Sequence, residues 1–148
     1  MSIIAIAHTG FTVTNIDLSI GFYQSLGLVC KFRVIRNEEF IGKIVGMKGA
    51  EIEIAYMGMP GEKGHFLELL EYKKPRMVGR ASATNIPGNG HICFEVDDLN
   101  LVRYSVTGYA EIPDGPNQGI IVAYIKDPDG FTVELLERPK KATLVVSE

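Results

Sequence analysis

Apolar positions along this chain follow two rhythms, and the pair of rhythms occurs twice. Residues 3–13 are apolar and β-branched, which predicts a strand. Leu18, Phe22, Tyr23 and Leu26 then recur at helical spacing behind Asn15 or Asp17 as a cap, and Gly27 suits a left-handed stop. Four β-rich runs follow at 28–35, 41–47, 51–57 and 66–72, with 57–64 as a glycine- and proline-bearing hairpin loop. In the second half, Asp97 or Asp98 caps a helix whose apolar stripe is Leu99, Val102 and Val106 and whose stop is Gly108. The runs 120–126 and 131–136 are strands joined by the turn Asp127-Pro128-Asp129-Gly130.

The two halves match residue by residue. His8, Phe11, Val13, Ile16, Asp17 and Leu18 repeat as His91, Phe94, Val96, Leu99, Asn100 and Leu101. Each half closes on Glu-Leu-Leu-Glu, at 68–71 and again at 134–137. Landmarks kept in one order predict two copies of one βαβββ module. The domain expected is 4–138: module one about 4–72, a linker at 73–89, module two about 90–138, then a tail at 139–148.

Composition narrows the function classes. A net charge of −3 over 148 residues lacks the basic face of a nucleic-acid binder. The apolar runs are far shorter than the ~20 residues of a membrane helix. The first ten residues lack the basic start and cleavage site of a signal peptide. Cys30 and Cys93 make no metal-binding spacing and read as reduced thiols, so a cytoplasmic protein is expected.

Strand parity turns the repeat into chemistry. Side chains alternate faces with period two, so His8, Gly10 and Thr12 share one face, as do His91, Cys93 and Glu95. A pseudo-twofold relation between the modules would bring His8, Glu68, His91 and Glu134 toward a common centre. Two imidazoles and two carboxylates suit one divalent ion, Ni²⁺, Co²⁺, Zn²⁺, Mn²⁺ or Fe²⁺. An octahedral ion would keep two adjacent positions for neighbouring substrate oxygens and act as a Lewis acid on a developing enolate. Thr12, Cys93 and Glu95 share the ligand face and are expected to line the cavity, Glu95 as a base with a raised pKa or as a solvated residue at its mouth. Tyr56, Tyr72 and Tyr124 are candidate substrate contacts. His65, three residues before Glu68, reads as a loop or outer-face residue. Glu71 and Glu137 have the opposite parity to the ligands and read as solvated strand ends. Lys73, Lys74, Arg76 and Arg80 read as a solvated linker rather than a grip for an anionic substrate tail.

His8 opening a strand, Phe22-Tyr23 before Leu26-Gly27-Leu28, Glu68-Leu69-Leu70, His91 through Leu99, and Asp127-Pro128-Asp129-Gly130 leading to Glu134-Leu135 resemble the vicinal oxygen chelate superfamily of glyoxalases, bleomycin-resistance proteins and ring-cleaving dioxygenases. The resemblance spans about 4–137. It implies an α+β fold of paired βαβββ modules whose eight strands curl around a metal, and a homodimer. The ligand order His, Glu, His, Glu is similar to glyoxalase I and close to methylmalonyl-CoA epimerase. It implies a lyase, isomerase or epimerase that acts through a metal-bound enediolate on a small vicinal-oxygen substrate, with Glu134 or Glu68 as the catalytic base. Thr12 and Tyr72 stand where glutathione-using forms carry Arg and Asn. An iron-dependent ring-cleaving dioxygenase using His8, His91 and Glu134 is the alternative enzyme, and a small-molecule (antibiotic) binding protein the non-catalytic one.

Overall fold

Each Glu-Leu-Leu-Glu segment lies on an inner strand of its own four-stranded mixed sheet. The computed structural model describes residues 2–77, 79 and 83–139. The chain divides into two units, Met1–Arg80 and Ala81–Glu148, and the division falls inside the expected linker. Residues 140–148 of the expected tail, and Arg80, lie outside the described residues.

In the first unit the order is β1 (Thr9–Thr12), α1 (Ile16–Ser25), β2 (Val29–Arg36), α2 (Glu39–Val45), β3 (Glu51–Gly58) and β4 (Leu67–Lys74). The sheet runs β1-β4-β3-β2, with β1 parallel to β4 and the other pairs antiparallel. Asn15 is the cap of α1, its Oδ1 accepting from the amides of Asp17 and Leu18 at 3.1 Å. Gly27 takes the left-handed stop at φ 102°. The buried stripe of α1 is Ile16, Ser19, Ile20, Phe22 and Tyr23, whereas Leu18 is exposed. The helix packs on β3 and β4, whose inward residues Ala55, Met57, Leu67 and Leu69 are fully buried. Burying each large apolar side chain there contributes roughly 1.5–3 kcal/mol.

Two expectations in this unit change. Regular strand begins only at Thr9, and Ile3, Ile4 and Ile6 are exposed. The β-rich run at 41–47 belongs to the helix α2. A Glu39–Lys43 pair at 2.8 Å supports one face of that helix, and Gly46 closes it at φ 71°, so local pairing and capping override β-branched content. Ile41 and Val45 of α2 cover Ile52, Ile54, Leu70 and Tyr72 on the opposite sheet face from α1.

The second unit repeats the first sheet. Its strands are β5 (His91–Glu95), β6 (Gly108–Glu111), β7 (Ile121–Lys126) and β8 (Thr132–Glu137), ordered β5-β8-β7-β6 with β5 parallel to β8. The expected helix over 97–108 is reduced to a single 3₁₀ turn, Leu99–Leu101. Asp98 caps it, accepting from the Asn100 amide at 2.9 Å, and the chain then turns extended at Val102. The turn at 127–130 forms as expected: Asp127 Oδ1 accepts from the amides of Asp129 and Phe131, and Gly130 sits at φ 88°.

The last Glu of each Glu-Leu-Leu-Glu segment does not point into open water. Glu71 is 7% exposed, and its Oε2 accepts the amide of Ile16, the first residue of α1, at 3.0 Å. Glu137 does the same to Leu99, the first residue of the 3₁₀ turn, at 2.8 Å. Both carboxylates meet free N–H groups where a helix begins, which is why this position keeps an acid beneath each helical segment. Lys73 and Lys74 likewise belong to β4 rather than to a solvated linker. Lys73 bridges Glu71 at 2.8 Å and Glu53 at 3.1 Å, and Lys74 meets Glu51 at 3.4 Å.

Burial favours the neutral form of Glu71. The Lys73 hydrogen bond, the Ile16 amide and the charges of Lys73 and Arg76 outweigh it and hold the carboxyl below its usual range. A folded-state pKa below the unfolded value of about 4.3 gives stability that is complete above that value and lost as pH falls through the folded pKa. Glu71→Ala leaves the Ile16 amide without its carboxylate, so urea unfolding should show a loss of about 1–3 kcal/mol at neutral pH. The same variant should show a shallower loss of stability in acid. An unchanged acid limb would mean that Glu71 does not carry this term.

Candidate metal centre

The parallel pairing of β1 with β4 brings His8 and Glu68 together. Gly10 lies opposite Glu68, and His8 stands two residues earlier, just before β1 begins at Thr9. His8 Nε2 is 3.5 Å from Glu68 Oε2, with the glutamate largely buried and the imidazole nearly half exposed. The second unit uses the same register. Cys93 lies opposite Glu134, and His91, two residues earlier, places Nε2 2.8 Å from Glu134 Oε2. Each unit therefore brings its repeated histidine and glutamate into contact. Each glutamate also has a tyrosine as its partner on the next strand, Tyr56 for Glu68 and Tyr124 for Glu134.

The electrostatics at Glu134 suit a cation. Partial burial, and then the charge of Glu134, raise the pKa of the Tyr124 hydroxyl. The Cys93 thiol is pushed up by the same two causes in the same order. Both groups stay protonated at neutral pH beside the carboxylate. The Tyr124 ring lies 5.6 Å from that of His91.

His65, expected in a loop or on the outer face, lies in the loop but turns toward the candidate site. Parity counts only within a strand, and β4 starts at Leu67, so His65 lies in the loop and is free to turn inward. Its Nε2 is 3.1 Å from Glu68 Oε1, while His8 approaches the other oxygen of that carboxylate. The ligand atoms of His8, His65 and Glu68 all lie within 4.8 Å of one another. The signal that could have located His65 was the glycine-rich loop before it, which ends regular pairing before Leu67.

The remaining candidates separate. Thr12 and Tyr72 line one cavity of about 240 Å³ in the first unit, with Met47, Glu71, Arg76 and Met77. Tyr72 also packs against the cluster of Ile41, Ala50, Ile52 and Ile54. Cys93 is exposed on the His91 face. Glu95 is 55% exposed and paired with Arg138 Nε at 2.9 Å, which places it in a solvated ion pair rather than in an apolar cavity.

Known proteins share this arrangement of elements and sequence. A lactoylglutathione lyase of Haemophilus influenzae is 29% identical over 143 residues, covering 89% of this chain and 91% of that protein. A lactoylglutathione lyase of Arabidopsis thaliana is 26% identical over 136 residues, and the chain spans 43% of its length. A glyoxalase family protein of Bacillus cereus has the same fold, with a TM-score of 0.80 at 22% identity over 95% of this chain and 97% of that one. The profile of the Glyoxalase/Bleomycin resistance protein/Dioxygenase superfamily matches residues 5–135. With that match over most of its length, the chain belongs to this superfamily, as an enzyme of the glyoxalase type.

Proposed function

We propose that the chain is a divalent-metal-dependent lyase or isomerase in which His8, Glu68, His91 and Glu134 hold one cation. The observation that carries this reading is the His–Glu contact in each unit, made at the same strand register beside the same residue type. One pair offers two donors, fewer than the three or four protein ligands of common metal sites. Two pairs acting on one ion make a mixed N/O set whose carboxylates carry a charge of about −2, suited to Ni²⁺, Co²⁺, Zn²⁺, Mn²⁺ or Fe²⁺. The modules form one domain over 4–138 in this reading, and the pairs come from one chain or from two chains of a homodimer.

A bound divalent ion supplies Lewis-acid polarisation of adjacent substrate oxygens. The protein's own groups move the proton. Glu134 or Glu68 takes it from the substrate carbon that bears a hydroxyl and returns it to the neighbouring carbonyl carbon, while the hydroxyl proton passes to the carbonyl oxygen. The proton shift leaves the substrate isomeric and needs no oxidant. Tyr124, held protonated beside Glu134, is a hydrogen-bond donor toward the same carboxylate or toward substrate. Lactoylglutathione chemistry, named for the bacterial relative, is the first substrate class to assay. Thr12, Tyr72 and Cys93 are the proposed substrate contacts.

Elemental mass spectrometry should find about one equivalent of divalent metal per chain after incubation with each ion, and much less in Glu68→Ala. No metal in any incubation would overturn the reading. Glu134→Gln should lower turnover of a hemithioacetal of glutathione by roughly 10²-fold or more. Deuterium from solvent should appear at the product carbon, whereas oxygen uptake would point to ring cleavage. Mixing inactive His8→Ala and His91→Ala chains should restore one of the two sites in each mixed dimer if ligands are shared between chains, and none if they are not.

A further inference from the structure

The geometry points to a complete metal-loading site inside module one, built from His8, His65 and Glu68, in which His65 is a donor with no counterpart in module two. This inference rests on the metal-dependent reading above and adds to it a residue outside the repeat. The position three residues before the glutamate is His65 in the first module and Phe131 in the second. The second unit thus presents one imidazole to Glu134, whereas the first presents two to Glu68, one at each carboxylate oxygen.

Four features hold His65 in place. Its ring packs edge-on against Tyr56, with centroids 4.7 Å apart. Phe32 stacks on the other partner of that contact, Tyr56, at 5.9 Å. The loop that carries His65 is tied down by Lys31, whose Nζ donates to the carbonyls of Met59 at 2.7 Å and Glu62 at 2.6 Å. A side chain at Gly58 would meet the Gly64 carbonyl at 2.5 Å, so glycine is required there for the loop to close back toward β4.

Two imidazoles and one carboxylate make a set that holds zinc or another first-row divalent ion while keeping positions open. Metal–ligand distances of about 2.0–2.2 Å put neighbouring donor atoms roughly 3–3.5 Å apart, the spacing that both imidazoles already keep to the Glu68 oxygens. His8, nearly half exposed, has room to rotate toward the other two. Module one can then take up a cation without His91 or Glu134, and the module-two pair completes the coordination. The asymmetry predicts an order of loading: module one binds first.

The test uses the full chain and zinc or cobalt(II) alone, with affinity read by competition against a chromophoric chelator. His91→Ala/Glu134→Gln should keep about one equivalent of metal at reduced affinity. Adding His65→Ala should weaken that binding by on the order of 10–100-fold or more. In the otherwise wild-type chain, His65→Ala should slow metal uptake, with circular dichroism confirming that the fold is kept. X-ray absorption of the zinc-loaded double variant should count two imidazoles. If the double variant binds no metal while the wild type does, or if His65→Ala changes neither affinity nor uptake, the loading site is wrong and the four-ligand reading stands. If the wild type binds no metal, both fall together.

Discussion

The parallel pairing of β1 with β4, and of β5 with β8, is the constraint on which each module depends. Pairing sets which residue lies opposite which, and alternation sets which face each side chain takes. With Gly10 opposite Glu68 and Cys93 opposite Glu134, the histidine two residues earlier reaches the first glutamate of each segment. The two leucines between the acids fall on opposite faces. The last glutamate then lies on the helix side, where it meets the first amide of the helical segment. One four-residue segment thus carries a carboxylate for chemistry and a carboxylate for structure. A slip of one residue would exchange them, leaving the helix start without its acceptor and the histidine without its acid.

Much of this was legible in the sequence because the repeat supplies its own control. The matched histidines and glutamates, the Asn15 cap, the Gly27 stop and the Asp127 turn each have a local cause that acts over a few residues. The parts that were not legible depend on tertiary partners. The run at 41–47 has β-branched residues but also a Glu39–Lys43 pair and a glycine able to adopt positive φ, and its apolar face finds a cover over Ile52 and Ile54. The stripe of Leu99, Val102 and Val106 is too sparse to carry a helix past one turn. Glu71 and Glu137 looked solvated because nothing in a linear pattern announces that a distant helix start will sit above them.

His65 shows the limit of parity reasoning at the candidate site. Period-two alternation holds only while the backbone is extended and paired, and the chain reaches that state two residues after His65. Lys31 and Gly58, on elements separate from the loop they restrain, then decide where the imidazole goes. Glu95 takes the solvated one of its two expected states. It has the parity of a cavity residue, and Arg138, the residue after β8, draws it into an exposed ion pair. Shared parity brings residues to one face, and local partners decide which of them meet.

The central claim is that the two equivalent His–Glu pairs act on a single ion. Anomalous diffraction from crystals of metal-loaded protein, recorded at the metal absorption edge, tests it directly. The account predicts one peak per site with His8, Glu68, His91 and Glu134 at about 2.0–2.2 Å, from one chain or two. Separate peaks on the two pairs, or a peak in wild-type protein that His91 and Glu134 do not touch, would contradict it.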